Sequence, residues 1–335
     1  QPGCLTWPEC FQKPQTMVTV LRTQPRLLLL LTLLVPLSVL ARQLDWPDEW
    51  LFFNAIAAII PLAILLSTAT ERLAENLGAS IGALLSAVFS NATELIIGLV
   101  ALRAGLIDIV KASITGSVMA NLLLALGLSM VVGGVGRQQQ DFSPAIARVN
   151  GTAMTLAVLS ILIPSLSGLN RIGFTVEQEA TLPFSSFVAW VLLLVYGFTL
   201  LFSLSTHRSL YVAAAVPETE RDQELPKSEI PIWMLTLTAA TVAIAYESNL
   251  FVQVVESVTE RWGLSDVFTG VILLPLLGGA AEYVTSVSMA RRNKMDLAVS
   301  VVLSSTLLIA LLVVPVLVLA GPFLGHALDL NFGIY

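Results

Sequence analysis

Nine apolar stretches that could cross a lipid bilayer decide what this chain can fold into. They lie near residues 27–41, 49–66, 79–102, 109–134, 144–166, 184–205, 230–250, 264–289 and 296–321. A helix needs about 20 apolar residues to cross roughly 30 Å of hydrocarbon, and its backbone groups must be satisfied internally. Only 12% of the 335 residues are charged and the mean hydropathy is +0.84, whereas soluble domains carry roughly 25% charged residues. The sequence therefore predicts an all-α, polytopic membrane protein.

The first span has two interpretations. It is short, follows Arg22 and Arg26, and ends in Val39-Leu40-Ala41, which is also the pattern of a cleaved signal peptide. We favour a retained extra N-terminal helix at 27–41, preceded by a tail of residues 1–26. Alternate loops carry 12 and 5 Lys and Arg residues, and the richer side is usually cytoplasmic. The N-terminus is therefore expected in the cytoplasm, and the bacterial inner membrane is the expected location.

An internal repeat organises the remaining spans. A shift of 188 residues superimposes charged, polar and glycine residues that chance would rarely match. The matched pairs are Gly82 and Gly270, Glu94 and Glu282, Arg103 and Arg291, Asp108 and Asp296, Ser117 and Ser305, and Gly133 and Gly321. Because the third span runs outward and the eighth runs inward, the copies are predicted to be inverted, as in many secondary transporters.

The repeat also divides the chain. A first five-helix repeat covers 49–205, an acidic cytoplasmic loop covers 206–229, and a second repeat covers 230–335. The loop is either a solvated linker or an acidic segment that gathers or senses cations. Counterparts of the fifth and sixth helices should run from near residue 330 to near 393, so the second repeat is expected to be incomplete. Either the sequence is truncated, or another subunit, such as a second copy of the chain, covers the exposed flank.

Each copy carries a glutamate inside an apolar span. Small or polar residues stand four and three positions before it: Ser90 and Asn91 before Glu94, and Gly278 and Gly279 before Glu282. Pro275 also stands seven residues before the second glutamate. Both helices are therefore expected to kink and to expose backbone carbonyls.

The energetic cost of buried charge limits what this pair can do. A bare carboxylate at the bilayer centre costs a few kcal/mol at the least, so each acid should be protonated or bound to a cation. Carboxylates, carbonyls and hydroxyls suit Ca²⁺, which takes about 6 to 8 oxygen ligands. One Ca²⁺ or two protons neutralise the pair equally. The sequence thus predicts an antiporter of Ca²⁺, or a similar divalent cation, against H⁺, with no enzymatic activity and no cofactor beyond the transported ions.

Other polar residues keep two interpretations each. Ser117 and Ser305 either supply hydroxyls to the cation site or permit close helix packing. Glu71, Glu256 and Glu260 are candidates for a proton or cation entrance, and the alternative is that they are ordinary loop charges. Charged residues that flank span ends are expected to be solvated or snorkelling, with a gating ion pair as the less favoured alternative; they are Asp108, Lys111, Arg291, Arg292 and Asp296.

Two segments resemble the signature regions of the calcium/proton exchangers, the cation/proton branch of the calcium/cation antiporters. They are SNATELIIGLVALRAGLIDIVKASITGSVMANLLLALGLSMVVGG at 90–134 and LSDVFTGVILLPLLGGAAEYVTSVSMARRNKMDLAV at 264–299. The resemblance implies that Glu94 and Glu282 ligate Ca²⁺ and carry protons. Five positions depart from the family pattern: Ser90 replaces Gly, Gly279 replaces Asn, Tyr283 replaces His, Leu308 replaces Gln, and Asn249 replaces an acidic residue.

Three other functions remain open at this stage. A sodium-coupled exchanger would require additional intramembrane Asp and Asn residues, which the repeats lack. An intramembrane hydrolase would normally use aspartates around a water. A truncated, non-transporting homologue is consistent with the missing helices. The chain has no basic cluster long enough for nucleic acid, and the lipid bilayer, Ca²⁺ and H⁺ are its expected partners.

Overall fold

The computed structural model describes residues 33–77, 79–142, 144–167, 181–201 and 229–332. All regular secondary structure in these ranges is helical. The helices are α1 (Leu34–Gln43), α2 (Asp48–Asn76), α3 (Ala79–Phe89), α4 (Ala92–Arg103), α5 (Ile107–Gly134), α6 (Pro144–Ser167), α7 (Thr181–Leu201), α8 (Ile230–Arg261), α9 (Asp266–Gly278), α10 (Ala280–Arg291) and α11 (Met295–Leu324).

The helices confirm the predicted polytopic fold. Five of them, α2, α5, α7, α8 and α11, are long and apolar enough to cross a membrane, and α9 with α10 passes the same test as a bent pair. Large side chains on α7 suit a lipid environment, since Phe187, Trp190 and Phe198 are each 63% exposed. Two predicted spans, 79–102 and 264–289, are each divided into two helices by a break.

Proline, acidic residues and glycine set several helix boundaries. Pro47 precedes α2, whose first turn holds Asp48 and Glu49, where negative charge is favoured by the helix dipole. Pro231 lies in the first turn of α8, a position that needs no backbone donor. At the end of the last helix, Leu324 of α11 is followed by Gly325 in the left-handed conformation, with φ of 87°. Glycine adopts this conformation without strain.

Helices α2 and α8 form a long antiparallel pair at the centre of the protein. Ser257, near the end of α8, donates a hydrogen bond to Asp48 at the start of α2, over 2.8 Å. At the opposite end of the pair, Leu73 of α2 and Trp233 of α8 share one hydrophobic cluster. These two helices open the first and second repeats, so their antiparallel packing is the geometry that an inverted duplication produces.

A second structural match supports the repeat. A π-helical turn at Ala120–Ala125 interrupts α5, and another at Ile309–Val313 interrupts α11. The 188-residue shift places 121–125 on 309–313. A third π-turn, Thr269–Leu273 in α9, has no such partner, since the equivalent residues of α3 are α-helical.

The segment after α11 folds back against the protein. Residues 325–332 are not helical, and Leu330 is fully buried, with its N–H donating to Ser185 Oγ over 3.0 Å. Lys111 pairs with Asp329 of this segment and donates to the Asn331 carbonyl over 2.7 Å. The expectation that Lys111 is solvated is therefore wrong, because a carboxylate from a distant segment reaches it.

Several predictions concern residues that the structure does not describe. The N-terminal tail 1–26, the start of the first span and nearly all of the acidic loop 206–229 lie outside the described residues. The rest of the first span forms α1, which ends at Gln43. The domain boundaries remain predictions.

Candidate functional site

Each central glutamate lies one turn after a helix break. Ser90 and Asn91 separate α3 from α4, and Glu94 is in the first turn of α4. Gly279 separates α9 from α10, which are bent by 60°, and Glu282 is in the first turn of α10. The predicted kinks are thus present at equivalent positions of both copies. A carboxylate in the first turn also faces the favourable end of the helix dipole.

Glu94 opens onto a small cavity. Its lining also includes Ile97, Ser113, Ser117 and Leu274, and its size is about that of one water molecule. The Oε2 atom of Glu94 is buried and has no hydrogen-bond partner among the described residues. A buried anionic oxygen without a donor is costly, so the cavity favours a bound proton or cation at this oxygen.

Glu282 is buried on the opposite side of the contact between the copies. Its Oε2 atom also lacks a partner within the described part of the chain. Gly278, one turn before Glu282, lies directly against Glu94, because a Cβ added at Gly278 would be 2.8 Å from Glu94 Cγ. The second helix break therefore packs against the first glutamate, and Glu282 begins one turn beyond this contact.

A buried polar network joins the first break to α11. Ser305 Oγ donates to Asn91 Oδ1 over 2.8 Å, and Asn91 Nδ2 donates to the Ser305 carbonyl over 3.3 Å. Asn121, in the π-turn of α5, donates to Ser305 Oγ over 3.1 Å. All three side chains are buried. Asn91 is at the N-cap position of α4 but makes no capping bond, since its side chain binds the other repeat instead.

The second break is built differently. Gly279, the equivalent of Asn91, has no side chain that could reach Ser117, the equivalent of Ser305. The ring of Tyr283 fills this space, and a Cβ added at Gly279 would lie 2.7 Å from the tyrosine oxygen. Tyr283 donates a hydrogen bond to the Pro275 carbonyl over 2.9 Å, which binds one backbone oxygen near the bend.

The structure brings most of the predicted site residues together. Around Glu94 and Glu282 lie both helix breaks and the hydroxyls of Ser117 and Ser305. Ser90, beside the first break, has a buried Oγ without a partner among the described residues. The contacts and distances among the described residues assign no ligand role to these side chains, so their roles stay predictions.

The proposed entrance residues lie apart from this centre. Glu71, Glu256 and Glu260 are exposed, on the second half of α2 or the last turns of α8.

Sequence reasoning overlooked two buried polar residues. Asn121 and Glu247 each interrupt an apolar span, which was the signal that identified Glu94. Neither has a polar counterpart in the other copy, since the 188-residue shift pairs them with Ile309 and Ile59. A search guided by matched pairs therefore passed over both.

The described residues contain no group of three or more His, Cys, Asp or Glu side chains arranged to hold a metal ion. A cation at the centre would depend on two carboxylates supplemented by neutral oxygens. The hydroxyls of Ser90 and Ser117 lie beside Glu94, and hard cations such as Ca²⁺ accept oxygen ligands of this kind. The carbonyls of Asn91 and Gly279 at the two breaks accept the N–H groups of Leu95 and Tyr283, so the expected exposure of these carbonyls is not seen.

Comparison with known proteins places the chain in a family. Residues 49–205 and 232–335 match the sodium/calcium exchanger protein family. The Ca²⁺/H⁺ antiporter of Aphanothece halophytica is 45% identical over 312 residues, covering 90% of this chain and 83% of that protein. The Ca²⁺/H⁺ antiporter of Synechocystis sp. is 42% identical over 322 residues, covering 92% and 86%.

A solved structure agrees with these relatives. Native YfkE, a Ca²⁺/H⁺ antiporter, superimposes with a TM-score of 0.76 at 36% identity, covering 91% of this chain and 85% of that chain. Since the family match spans most of the sequence and both central glutamates, this chain belongs to the sodium/calcium exchanger protein family.

Proposed function

We propose that the chain exchanges Ca²⁺, or a similar divalent cation, for H⁺ across a membrane by alternating access. The observation that carries the proposal is the pair of glutamates, Glu94 and Glu282, placed at equivalent helix breaks, with Gly278 of the second break packed against Glu94. The similarity to curated Ca²⁺/H⁺ antiporters supports the same conclusion.

Charge neutralisation couples the two ions. Two facing carboxylates in a low-dielectric site cannot both remain bare. One Ca²⁺ or two protons cancel their charge. If the protein changes conformation only when the site is neutral, Ca²⁺ must move in one direction and protons in the other. In this scheme Glu94 and Glu282 ligate the metal and carry the protons. Asn91, Ser90, Gly278, Gly279, Ser117 and Ser305 complete the site through side-chain or backbone oxygens.

The proposal predicts competition between the two ions. Acidification fills the carboxylates with protons, so the apparent affinity for Ca²⁺ falls as the pH falls. If both protons compete with one Ca²⁺, the apparent Kd rises by up to about 100-fold per pH unit. A Kd that does not change with pH would contradict a shared site.

Uptake of Ca²⁺ into proteoliposomes under an imposed pH gradient tests the function. Glu94→Gln and Glu282→Gln should each abolish uptake, because an amide cannot supply the negative charge. Asp266→Asn is the matched control, since it removes an exposed acid at the start of α9. Uptake that survives both glutamine substitutions would rule out the carboxylate pair.

A sodium-coupled exchanger is the second candidate, because the family is described by sodium/calcium exchange. Replacing the pH gradient with a Na⁺ gradient distinguishes the two. A chain that transports under neither gradient would be the non-transporting homologue considered above.

The entrance, topology and assembly are further parts of the proposal. Glu71, Glu256 and Glu260 form the ion entrance, and transport needs no chemical step and no cofactor. The N-terminus lies in the cytoplasm of a bacterial cell, with the chain in the inner membrane as a monomer or homo-oligomer. Labelling single cysteines introduced into the loops tests the topology, and cross-linking in the membrane tests the assembly.

A further inference from the structure

We propose that Glu247 forms a second, separate proton-binding site with Ser38, and that its proton stays bound while ions are exchanged at the central pair. Glu247 lies in α8, and Ser38 lies in α1, the helix outside the repeat. The site is distinct from the breaks that hold Glu94 and Glu282.

Burial is the first argument. Glu247 is 0% exposed and Ser38 is 1% exposed, and α8 is one of the helices able to cross the membrane. Among the described residues, the Ser38 hydroxyl is the sole group within hydrogen-bond distance of the Glu247 carboxyl. The Oε1 atom of Glu247 is buried and lacks a partner in the described ranges. An ionised carboxylate would therefore be stabilised by one neutral hydroxyl alone, which is far too little to offset its desolvation.

Hydrogen counting is the second argument. Ser38 Oγ lies within hydrogen-bond distance of the Leu34 carbonyl at 3.0 Å, of Glu247 Oε2 at 2.9 Å and of Asn54 Nδ2. A hydroxyl has one hydrogen and two lone pairs. When Glu247 is protonated, its O–H and Asn54 both donate to Ser38 Oγ, and Ser38 donates to Leu34. This arrangement uses every hydrogen and leaves only a neutral carbonyl oxygen unpaired.

Within the part of the chain that the structure describes, the surroundings of Glu247 offer no cation that could replace the proton. On α1, Arg42 follows Ser38 by one turn but is exposed. On α2, the facing group is the neutral amide of Asn54, while Asp48 and Glu49 are bonded to Arg261. On α8, Tyr246 is the adjacent titratable residue.

Symmetry separates this proton from the transported ones. The 188-residue shift pairs Glu247 with Ile59, and a shift that is one residue longer pairs it with Ala58. Both are fully buried apolar residues of α2. Helix α8 is also continuous through Glu247, so no break supplies the free carbonyls that a cation would need. The proton at Glu247 instead joins α1 to α8 and, through Asn54, to α2.

Infrared difference spectroscopy of the full chain in lipid tests the proposal. The carbonyl stretch of protonated carboxyl groups should contain one component that persists when Ca²⁺ saturates the protein at neutral pH. Glu247→Gln should remove that component, whereas Glu94→Gln with Glu282→Gln should retain it and should lose the Ca²⁺-sensitive signal. Loss of the persistent component on adding Ca²⁺, or its survival in Glu247→Gln, would overturn the proposal.

The ratio of H⁺ to Ca²⁺ provides an independent measurement. Glutamine can donate to Ser38 as a protonated glutamate does, so Glu247→Gln should keep the native ratio and a rate within about threefold of native, as for a near-isosteric substitution. A changed ratio would show that the proton is transported and would overturn the proposal. If Glu247→Gln does not fold, Ser38→Ala replaces it as the test variant. In Ser38→Ala, the persistent carbonyl stretch should shift in frequency without disappearing. An unshifted stretch would contradict the hydrogen bond between Ser38 and Glu247.

Discussion

Substituting Gly278 with alanine is expected to weaken cation binding by displacing Glu94. The added Cβ would lie 2.8 Å from Glu94 Cγ and 3.3 Å from Cδ, whereas non-bonded carbon atoms prefer about 3.5–4.0 Å. The glutamate must therefore withdraw by roughly 0.7–1.2 Å, the difference between these distances. Overpacking of this kind costs about 1–3 kcal/mol. Because 1.4 kcal/mol corresponds to a tenfold change, Ca²⁺ affinity should fall by roughly 5- to 150-fold.

The assay is Ca²⁺ binding to the purified chain, with thermal unfolding measured on the same samples. Gly127→Ala is the matched control, since nothing lies within 4 Å of the Cβ it would add to α5, and it should leave affinity unchanged. A Gly278→Ala protein that unfolds at the native temperature and binds Ca²⁺ with native affinity would refute the contact between the two repeats. Equal losses in both variants would show that any added methyl group is harmful and would also refute it.

Three smaller predictions follow from single hydrogen bonds and one ion pair. Tyr283→Phe removes the bond to the Pro275 carbonyl and should slow transport by about 2- to 10-fold, the equivalent of 0.5–1.5 kcal/mol; a native rate would show that the bond does not hold the bend. Asn121→Ala leaves the buried hydroxyl of Ser305 with one partner fewer and should lower the free energy of unfolding by about 1–3 kcal/mol. Denaturant titration measures this loss, and an unchanged free energy of unfolding would contradict the proposed network. Lys111→Met should loosen the segment after α11, so limited proteolysis there should accelerate, and an unchanged cleavage rate would contradict its anchoring by the ion pair.

Much of the fold was predictable because a bilayer restricts the choices. Apolar length alone located the five helices that can cross a membrane and the bent pair of α9 with α10, whereas the predicted spans 27–41, 79–102 and 144–166 do not pass the same test. The repeat predicted the inverted arrangement that α2 and α8 display. The helix breaks were also predictable, since Gly279 and Asn91, both weak helix formers, precede the two glutamates. The ends of α2 and α8 were underestimated, because polar residues that continue a helix beyond the membrane resemble a loop in a hydropathy scan.

The candidate site was predicted in part. Asn91 and Ser305 were both expected near the glutamates, but their direct bond joins residues 214 positions apart, and no local pattern encodes such a pair. The ion pair of Lys111 with Asp329 was missed for the same reason, with a separation of 218 positions. Glu247 was missed because the repeat gave weight only to residues present in both copies, although burial of an acid needs no symmetry.

The π-turns carry information about the history of the chain. A π-turn accommodates one residue more than the α-helix around it, and such a residue occurs at equivalent positions of α5 and α11. Two independent insertions at the same place would be a coincidence, so the extra residue predates the duplication of the ancestral gene. Among the described residues, the turn at Thr269–Leu273 belongs to the second copy alone, so one copy gained this residue, or the other lost it, after the duplication.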